Sequence, residues 1–510
     1  MSASSVKPTA EVDVVVVGAG LSGIGVASHL ARDNAGTSVL VLERRQAIGG
    51  TWDLFRYPGV RSDSDMYTFG YDFKPWHGTK VLADGASIRG YVEETARENG
   101  LMDKIRFGRR VVRADWSSET GRWTITAETD EGITETYSAR FLAGCTGYYD
   151  YDNGHRPTFP GEESFGGQFV HPQFWPEDLD YAGKRVVVIG SGATAITLVP
   201  AMASGPNAAE HVTMLQRSPT YILSLPSHDP VALGLEKAKV PADVRYKIGR
   251  ARNVALQRGM YKLSKSKPAV ARRLVLQQIK AQLGRKVDMK HFTPKYNPWD
   301  QRLCVVPNGD LFRVLKSHKA DIVTDRITSF TPTGIKLEGG DEIPADIVVT
   351  ATGLVIQLFG GAEMYVDGEK VETHDHLLYK GTMFTGVPNA MFVIGYTNAS
   401  WTLKADLLAR FFSKLVARMQ KNPGEYAVVQ AGADDADDHS IMGESLTSGY
   451  IERGDVIMPR QGKRIPFRQL DSYYADVKLH KGGVDADGAL EFRRIGEPVS
   501  HVPGAAVAAK

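Results

Sequence analysis

The chain has 510 residues, enough for two or three domains with substantial cores. Hydrophobic residues make up 42% and charged residues 24%, and the net charge is only +2, so the overall balance calls for neither nucleic acid nor membrane as partner. Two isolated cysteines, Cys145 and Cys304, exclude a disulfide framework and a zinc site, and no other metal site is expected. The start, Met1 to Ala10, is polar and unlike a signal peptide, and no run reaches the roughly 18 apolar residues of a spanning helix. A cytoplasmic location is the expectation.

In chain order, the first element is a strand-like run, Val12 to Val17, followed by Gly18-Ala19-Gly20-Leu21-Ser22-Gly23 and a helical pattern. The G-x-G-x-x-G spacing gives each glycine a task. Gly18 makes a tight turn, Gly20 lets backbone approach a pyrophosphate, and Gly23 allows close helix–strand packing. The helix N-terminus adds free N–H groups and partial positive charge. A second strand, Ser38 to Leu42, ends in Glu43, twenty residues after Gly23. A carboxylate there accepts hydrogen bonds from ribose hydroxyls and repels a 2′-phosphate. Gly49-Gly50-Thr51-Trp52 follows, and a second glycine turn so close to the ribose acid argues for an extended FAD over NAD.

A β-rich stretch then closes on Cys145-Thr146-Gly147, and a second unit opens with the strand Arg185 to Ile189. Its turn reads Gly190-Ser191-Gly192-Ala193-Thr194-Ala195, with alanine in the last place. Here the second strand, Val212 to Leu215, ends in Gln216-Arg217-Ser218 rather than in an acid. An arginine at this place suits a 2′-phosphate, which favours NADPH over NADH. A helical insert comes next; from Glu236 to Lys290 it carries 16 Lys or Arg against three acids. Such helices suit a solvated face, or a peripheral contact with an anionic membrane. Ala351-Thr352-Gly353 closes the second unit, a helix spans about Trp401 to Met419, and the stretch from Pro498 is expected to fray.

The fold expected from this order is α/β, with two doubly wound, Rossmann-like dinucleotide-binding domains and a helical insert. The FAD domain takes 11–150 and 354–495, a linker 151–183, the NADP domain 184–229 and 301–353, and the insert 230–300. Residues 1–10 and 496–510 are tails.

FAD with NADPH leaves open a disulfide reductase, an oxidase or a monooxygenase. The first needs a redox-active cysteine pair, and Cys145 and Cys304 are each alone. The linker holds Phe165, Gly167, His171, Trp175 and Pro176 at the spacing F-x-G-x-x-x-H-x-x-x-W-P. With Gly49 to Trp52, Tyr57-Pro58-Gly59 and Asp63, it resembles the type I Baeyer–Villiger monooxygenases. Asn297 to Arg302, Gln216 to Tyr221 and Gly395 to Trp401 look like the subgroup of the mycobacterial ethionamide-activating FAD monooxygenase.

The resemblance implies FAD contacts for Ser22, Glu43, Thr51, Trp52, Asp53, Leu54, Asp63 and Val111. It implies NADP contacts for Arg61, Ser62 and Asp63, for Gly190, Ser191, Gly192, Ala193, Thr194, Ala195 and Ile196, and for Gln216 and Arg217. It makes Arg302 the active-site arginine, paired with Asp63. In such enzymes a C4a-peroxyflavin attacks a ketone carbonyl, and a permanently charged arginine stabilises both the peroxide and the oxyanion that forms. The implied reaction consumes NADPH and O2 and converts an apolar linear or aromatic ketone to an ester. The same intermediate, protonated, oxidises sulfur or nitrogen, so oxygenation of thioethers, thioamides or amines stays open. His171 and Trp175 fall at the crossing between the units, where packing or a hinge is the expected role. Two departures from the family pattern stand out: Gln301 replaces a lysine before the arginine, and no tryptophan follows Trp401.

Overall fold

Val14 to Val17 and Val186 to Ile189 are apolar at consecutive positions, as strands covered on both faces must be. Each becomes the central strand of a sheet in the computed structural model, which describes residues 8–284, 287–301, 303–432, 435–442, 448–485 and 487–499. The first sheet has nine strands. Its parallel half runs through β1 (Ala10–Val17), β2 (Val39–Leu42) and β3 (Ile105–Arg106). The strands β4 (Arg109–Ser117), β5 (Arg122–Thr129) and β6 (Thr134–Gly144) form an antiparallel meander, and β6 returns parallel to β1.

Later chain completes this unit. Glu363–Val366 pairs with β4, and Ala390–Phe392 pairs with β6. The helix Trp401–Gln420 packs on the helix Leu21–Asp33. Between those helices His29 Nε2 lies 3.1 Å from Asp406 Oδ1, and Asp406 Oδ2 accepts from the Asp72 backbone at 2.8 Å. Burial pulls the His29 imidazole down, but the hydrogen bond and charge of Asp406 raise it further, above its ordinary value.

Two neighbouring chain crossings join the units. The strand β7 (Tyr149–Gly154) leads out of the first unit and pairs antiparallel with Leu354–Ile356, which leads back. The second sheet is parallel throughout. It holds β8 (Gln168–Val170), β9 (Arg185–Ile189) and β10 (His211–Gln216); β11 (Ile222–Leu225) and β12 (Cys304–Pro307) pair outside it. With β13 (Ala320–Thr324) and Ile347–Thr350 its order is β13, β10, β9, Ile347–Thr350, β8. Thus the segment expected as a pure linker, 151–183, supplies the edge strand β8. Three residues are too short for an alternating pattern to show in sequence.

The insert is an excursion between the paired strands β11 and β12. Its helices are Pro230–Lys237, Ala242–Ser266 and Pro268–Leu283. The helical part therefore ends earlier than the expected boundary at 300, and Phe292 and Tyr296 already pack with the second core. Gly249 sits against the Tyr67 ring, and Arg250 donates to Tyr67 O and Gly70 O at 2.9 Å each. Val275, Ile279 and Leu283 are buried in the second core. The insert so straddles both units.

His171 occupies the crossing itself. Its Nδ1 accepts from the Gln173 backbone at 3.2 Å, and a Cβ on Gly154 would fall 2.1 Å from its ring. Burial holds the imidazole below its ordinary value, so the ring packs as a neutral group. Gly154→Ala therefore overpacks the crossing, with an expected loss of about 1–3 kcal/mol. Thermal unfolding should show a lowered midpoint, and adding His171→Ala should restore most of the loss.

Candidate active site

Both fingerprints open on one cleft of about 1080 Å³, larger than most single-ligand pockets. Each lies where its sheet reverses strand order, at the C-terminal end of the central strand. The two turns are built alike. The Gly18 N–H donates to Leu42 O at 2.8 Å, and the Gly190 N–H to Leu215 O at 2.8 Å. Gly18 has φ +103° and Gly190 φ +135°. A Cβ would stand 2.7 Å from Cys145 O at the first and 2.3 Å from Ala351 O at the second. Only glycine passes so close to the strand that ends in Thr-Gly. The helices Leu21–Asp33 and Ala193–Met202 both lack a side-chain N-cap, which leaves their first N–H groups available to an anion.

In the first unit, Gly18, Gly20, Ser22, Glu43, Thr51, Trp52 and Val111 line the cleft. Glu43 is buried; its Oε2 accepts from Ala19 N at 2.7 Å and its Oε1 from Arg45 N at 2.8 Å. Burial raises its pKa, while those two N–H groups oppose the rise. Each oxygen keeps a lone pair for a hydroxyl donor. Ser22 accepts from Trp401 Nε1 at 2.9 Å, which ties the first turn to the later helix. Gly23 is not on the wall; its missing Cβ would lie 1.8 Å from Gly18 O, so it serves packing. Asp53 and Leu54 are buried off the wall as well. Asp53 is held by Arg45 and Arg56 at 2.8 Å each and by Arg89 at 3.3 Å, so its carboxylate is spent on neighbours.

The loop from Tyr57 to Asp63 crosses to the second unit. A Cβ at Gly59 would lie 2.8 Å from Ala201 Cβ. Burial pushes the Tyr57 hydroxyl up to about 12, against a hydrogen bond with Thr194. Arg61 Nη1 pairs with Asp310 Oδ2 at 2.8 Å, while its Nη2 is buried without a partner among the described residues. Arg61, Ser62 and Asp63 all line the cleft.

In the second unit Gly190 to Thr194 and Ile196 line the cleft, and Ala195 is buried beneath them. Gln216 is also buried and off the wall. Its amide donates to His291 O at 2.8 Å and to Thr324 Oγ1 at 2.9 Å, so it braces the strand end. Arg217 is exposed on the wall and has no acid partner among the described residues. Arg326 stands on the wall in the same state. Because Gln216 pairs in register with Thr324, the two arginines follow adjacent parallel strand ends. Sequence reading passed over Arg326, which has no motif; only the neighbouring of β10 and β13 reveals it.

Arg302 lies outside the described residues. Gln301 and Cys304 beside it line the cleft, as does Asp63. Cys145 and Cys304 are both buried and neither is in a disulfide, and burial pushes the Cys145 thiol far above its ordinary range. A buried thiol of that kind is no thiolate nucleophile. The remaining wall is strongly aromatic: Trp52, Phe55, Tyr148, Phe359 and Trp401, with Tyr148 stacked on Trp401 at 5.2 Å.

A profile of flavin-binding monooxygenase-like proteins matches residues 11–453. The chain belongs to that family. It is 51% identical over 493 residues to AlmA of Acinetobacter sp, named a probable FAD-binding monooxygenase, covering 96% of this chain and 98% of that one. It is 48% identical over 492 residues to the FAD-containing monooxygenase EthA of Mycobacterium tuberculosis, covering 96% and 99%. In fold it resembles an oxidized steroid monooxygenase bound to NADP, with a TM-score of 0.74 at 23% identity over 95% of this chain and 100% of that one. The open crystal structure of cyclohexanone monooxygenase gives the same TM-score at 20% identity and the same coverage.

The paired cations yield a prediction. A charge-assisted bond to phosphate contributes about 1.5–3 kcal/mol. Arg217→Ala and Arg326→Ala should each raise the KM for NADPH about ten- to a hundredfold and leave the KM for NADH nearly unchanged. Steady-state kinetics with both nucleotides measure the contrast.

Proposed function

We propose that this family member is an FAD-containing, NADPH-consuming monooxygenase that inserts one oxygen atom of O2 beside the carbonyl of an apolar linear or aromatic ketone, giving an ester. The observation that carries the reading is that Asp63 and Gln301, far apart in sequence, line the same cleft as both fingerprints. On this reading Arg302, next to Gln301 in sequence, is the residue that acts there. The relatives named as FAD-binding or FAD-containing monooxygenases support the flavin. The NADP-bound steroid monooxygenase of like fold supports the second nucleotide.

On this reading the turn Gly18 to Gly23 and the uncapped helix behind it hold the pyrophosphate of FAD, and Glu43 accepts from its ribose. The matching turn at Gly190 holds the NADPH pyrophosphate, Arg61 contacts that nucleotide, and Arg217 with Arg326 takes the 2′-phosphate. FAD, once reduced, supplies the electrons that activate dioxygen. Arg302 is charged at any working pH, so it lowers the energy of an anionic oxygen nucleophile and of the alkoxide at the former carbonyl carbon. Asp63 orients the guanidinium. The aromatic wall excludes water and favours substrates that leave no buried polar group unpaired.

The test is Arg302→Ala. The variant should keep its flavin and its NADPH-driven flavin reduction, yet lose ester formation at least about a hundredfold. Mass analysis of products from a matched linear ketone and thioether decides between the chemistries. Sulfoxide without ester would replace the ketone reading with the sulfur one. Unchanged ester formation in the variant would remove Arg302 from the chemistry.

A further inference from the structure

The basic insert is also where exposed apolar side chains gather. Thirteen large apolar side chains stand exposed among the described residues, and seven of them lie between Val231 and Leu274. On the helix Ala242–Ser266, the exposed Val244, Ile248, Ala251 and Ala255 recur at steps of four, three and four, which places them on one strip. The opposite side, with Tyr246, Gly249, Asn253 and Gln257, faces the first unit. Exposed Lys247 and Arg258 flank the strip.

The next helix repeats the design. On Pro268–Leu283 the exposed Val270, Leu274 and Ala281 share a side, with Arg273 and Lys280 beside them and buried Ala271, Val275 and Ile279 behind. Leu256, at the edge of the first strip, is 62% exposed. Some insert cations serve the protein itself: Arg245 pairs with Glu236, Arg252 with Asp229 and Lys265 with Asp300. Lys247, Lys262, Arg273 and Lys280 have no acid partner among the described residues.

Each simpler partner leaves one half of this surface unused. Water solvates the cations but not the strips, and a nucleic acid likewise pairs only with the cations. A second copy would bring the same unpaired cations against themselves. An anionic bilayer takes both halves, since apolar side chains enter at headgroup depth while Lys and Arg meet the lipid phosphates. We propose that the outer face of the insert is a peripheral docking surface for an anionic lipid membrane. No helix among the described residues is long and apolar enough to cross a membrane, so the contact is superficial. The surface is independent of which product the cleft makes, and the two readings stand or fall separately.

Co-sedimentation of the full-length holoenzyme with large vesicles tests the proposal. Protein should pellet with phosphatidylcholine vesicles that contain phosphatidylglycerol, be released by high salt, and stay in solution with phosphatidylcholine alone. Each surface cation contributes about fivefold to partitioning. Lys247→Glu with Arg273→Glu should thus weaken binding at least about 25-fold, and Ile248→Ser with Leu274→Ser should weaken it at matched charge. All four positions are exposed, and flavin content and turnover of a water-soluble substrate should be unchanged in both variants. Absence of pelleting with anionic vesicles at low salt overturns the proposal. So does equal pelleting with neutral vesicles, or a dimer in sedimentation velocity that Ile248→Ser with Leu274→Ser dissociates.

Discussion

The whole arrangement rests on a close approach repeated twice: a glycine seated against the carbonyl of a neighbouring strand end. At Gly18 the carbonyl belongs to Cys145, at Gly190 to Ala351, and in both a Cβ would overlap the oxygen. That approach sets the uncapped helix start at the mouth of the central strand. It also sets the Thr-Gly that follows each carbonyl at the edge of the same cleft. A side chain at either glycine would push strand and turn apart, and both helix dipoles would lose their aim at a phosphate.

Two such turns make one site only if the units are held at a fixed separation, and several contacts do this. The loop around Gly59 lies on the helix Ala193–Met202 with less than a methyl group to spare. Arg61 pairs with Asp310 across the same gap. The insert anchors to Tyr67 and Gly70 on one side and to the second core on the other. At the far end the crossings β7 and Leu354–Ile356 run side by side, with the His171 ring wedged on Gly154. His171 also lines the cleft, so the same ring belongs to both the crossing and the site.

The two nucleotide units were legible in the sequence because their constraints are local. A glycine turn, the strand before it and the residue ending the next strand all fall within a few tens of residues. What escaped notice depends on non-local pairing. Arg326 carries no motif and reaches the cleft because Gln216 and Thr324 are in register. The strand Gln168–Val170 was hidden inside the linker because three residues cannot display a period. Side-chain placement at Gln216, Asp53 and Leu54 was likewise not legible. Each lies at a motif position, yet each is buried off the wall, since burial of a side chain is decided by what packs over it.

Two turns of the same design need a reason not to exchange their occupants, and the ends of the second strands provide it. Glu43 is fixed by two backbone N–H groups, so it cannot swing away from a phosphate placed beside it. Like charges about 4 Å apart cost about 4 kcal/mol at an effective dielectric constant of about 20, which disfavours a 2′-phosphorylated nucleotide there by several hundredfold. At the second unit the balance is reversed on the proposed reading, because Arg217 and Arg326 have no acid partner among the described residues and a nucleotide lacking the phosphate would leave both unused. Neither contribution alone suffices: repulsion at Glu43 would not draw NADPH to the second turn, and attraction at Arg217 would not keep it from the first. On the proposed reading, the sorting of FAD from NADPH follows from this opposition of charge on two otherwise equivalent scaffolds.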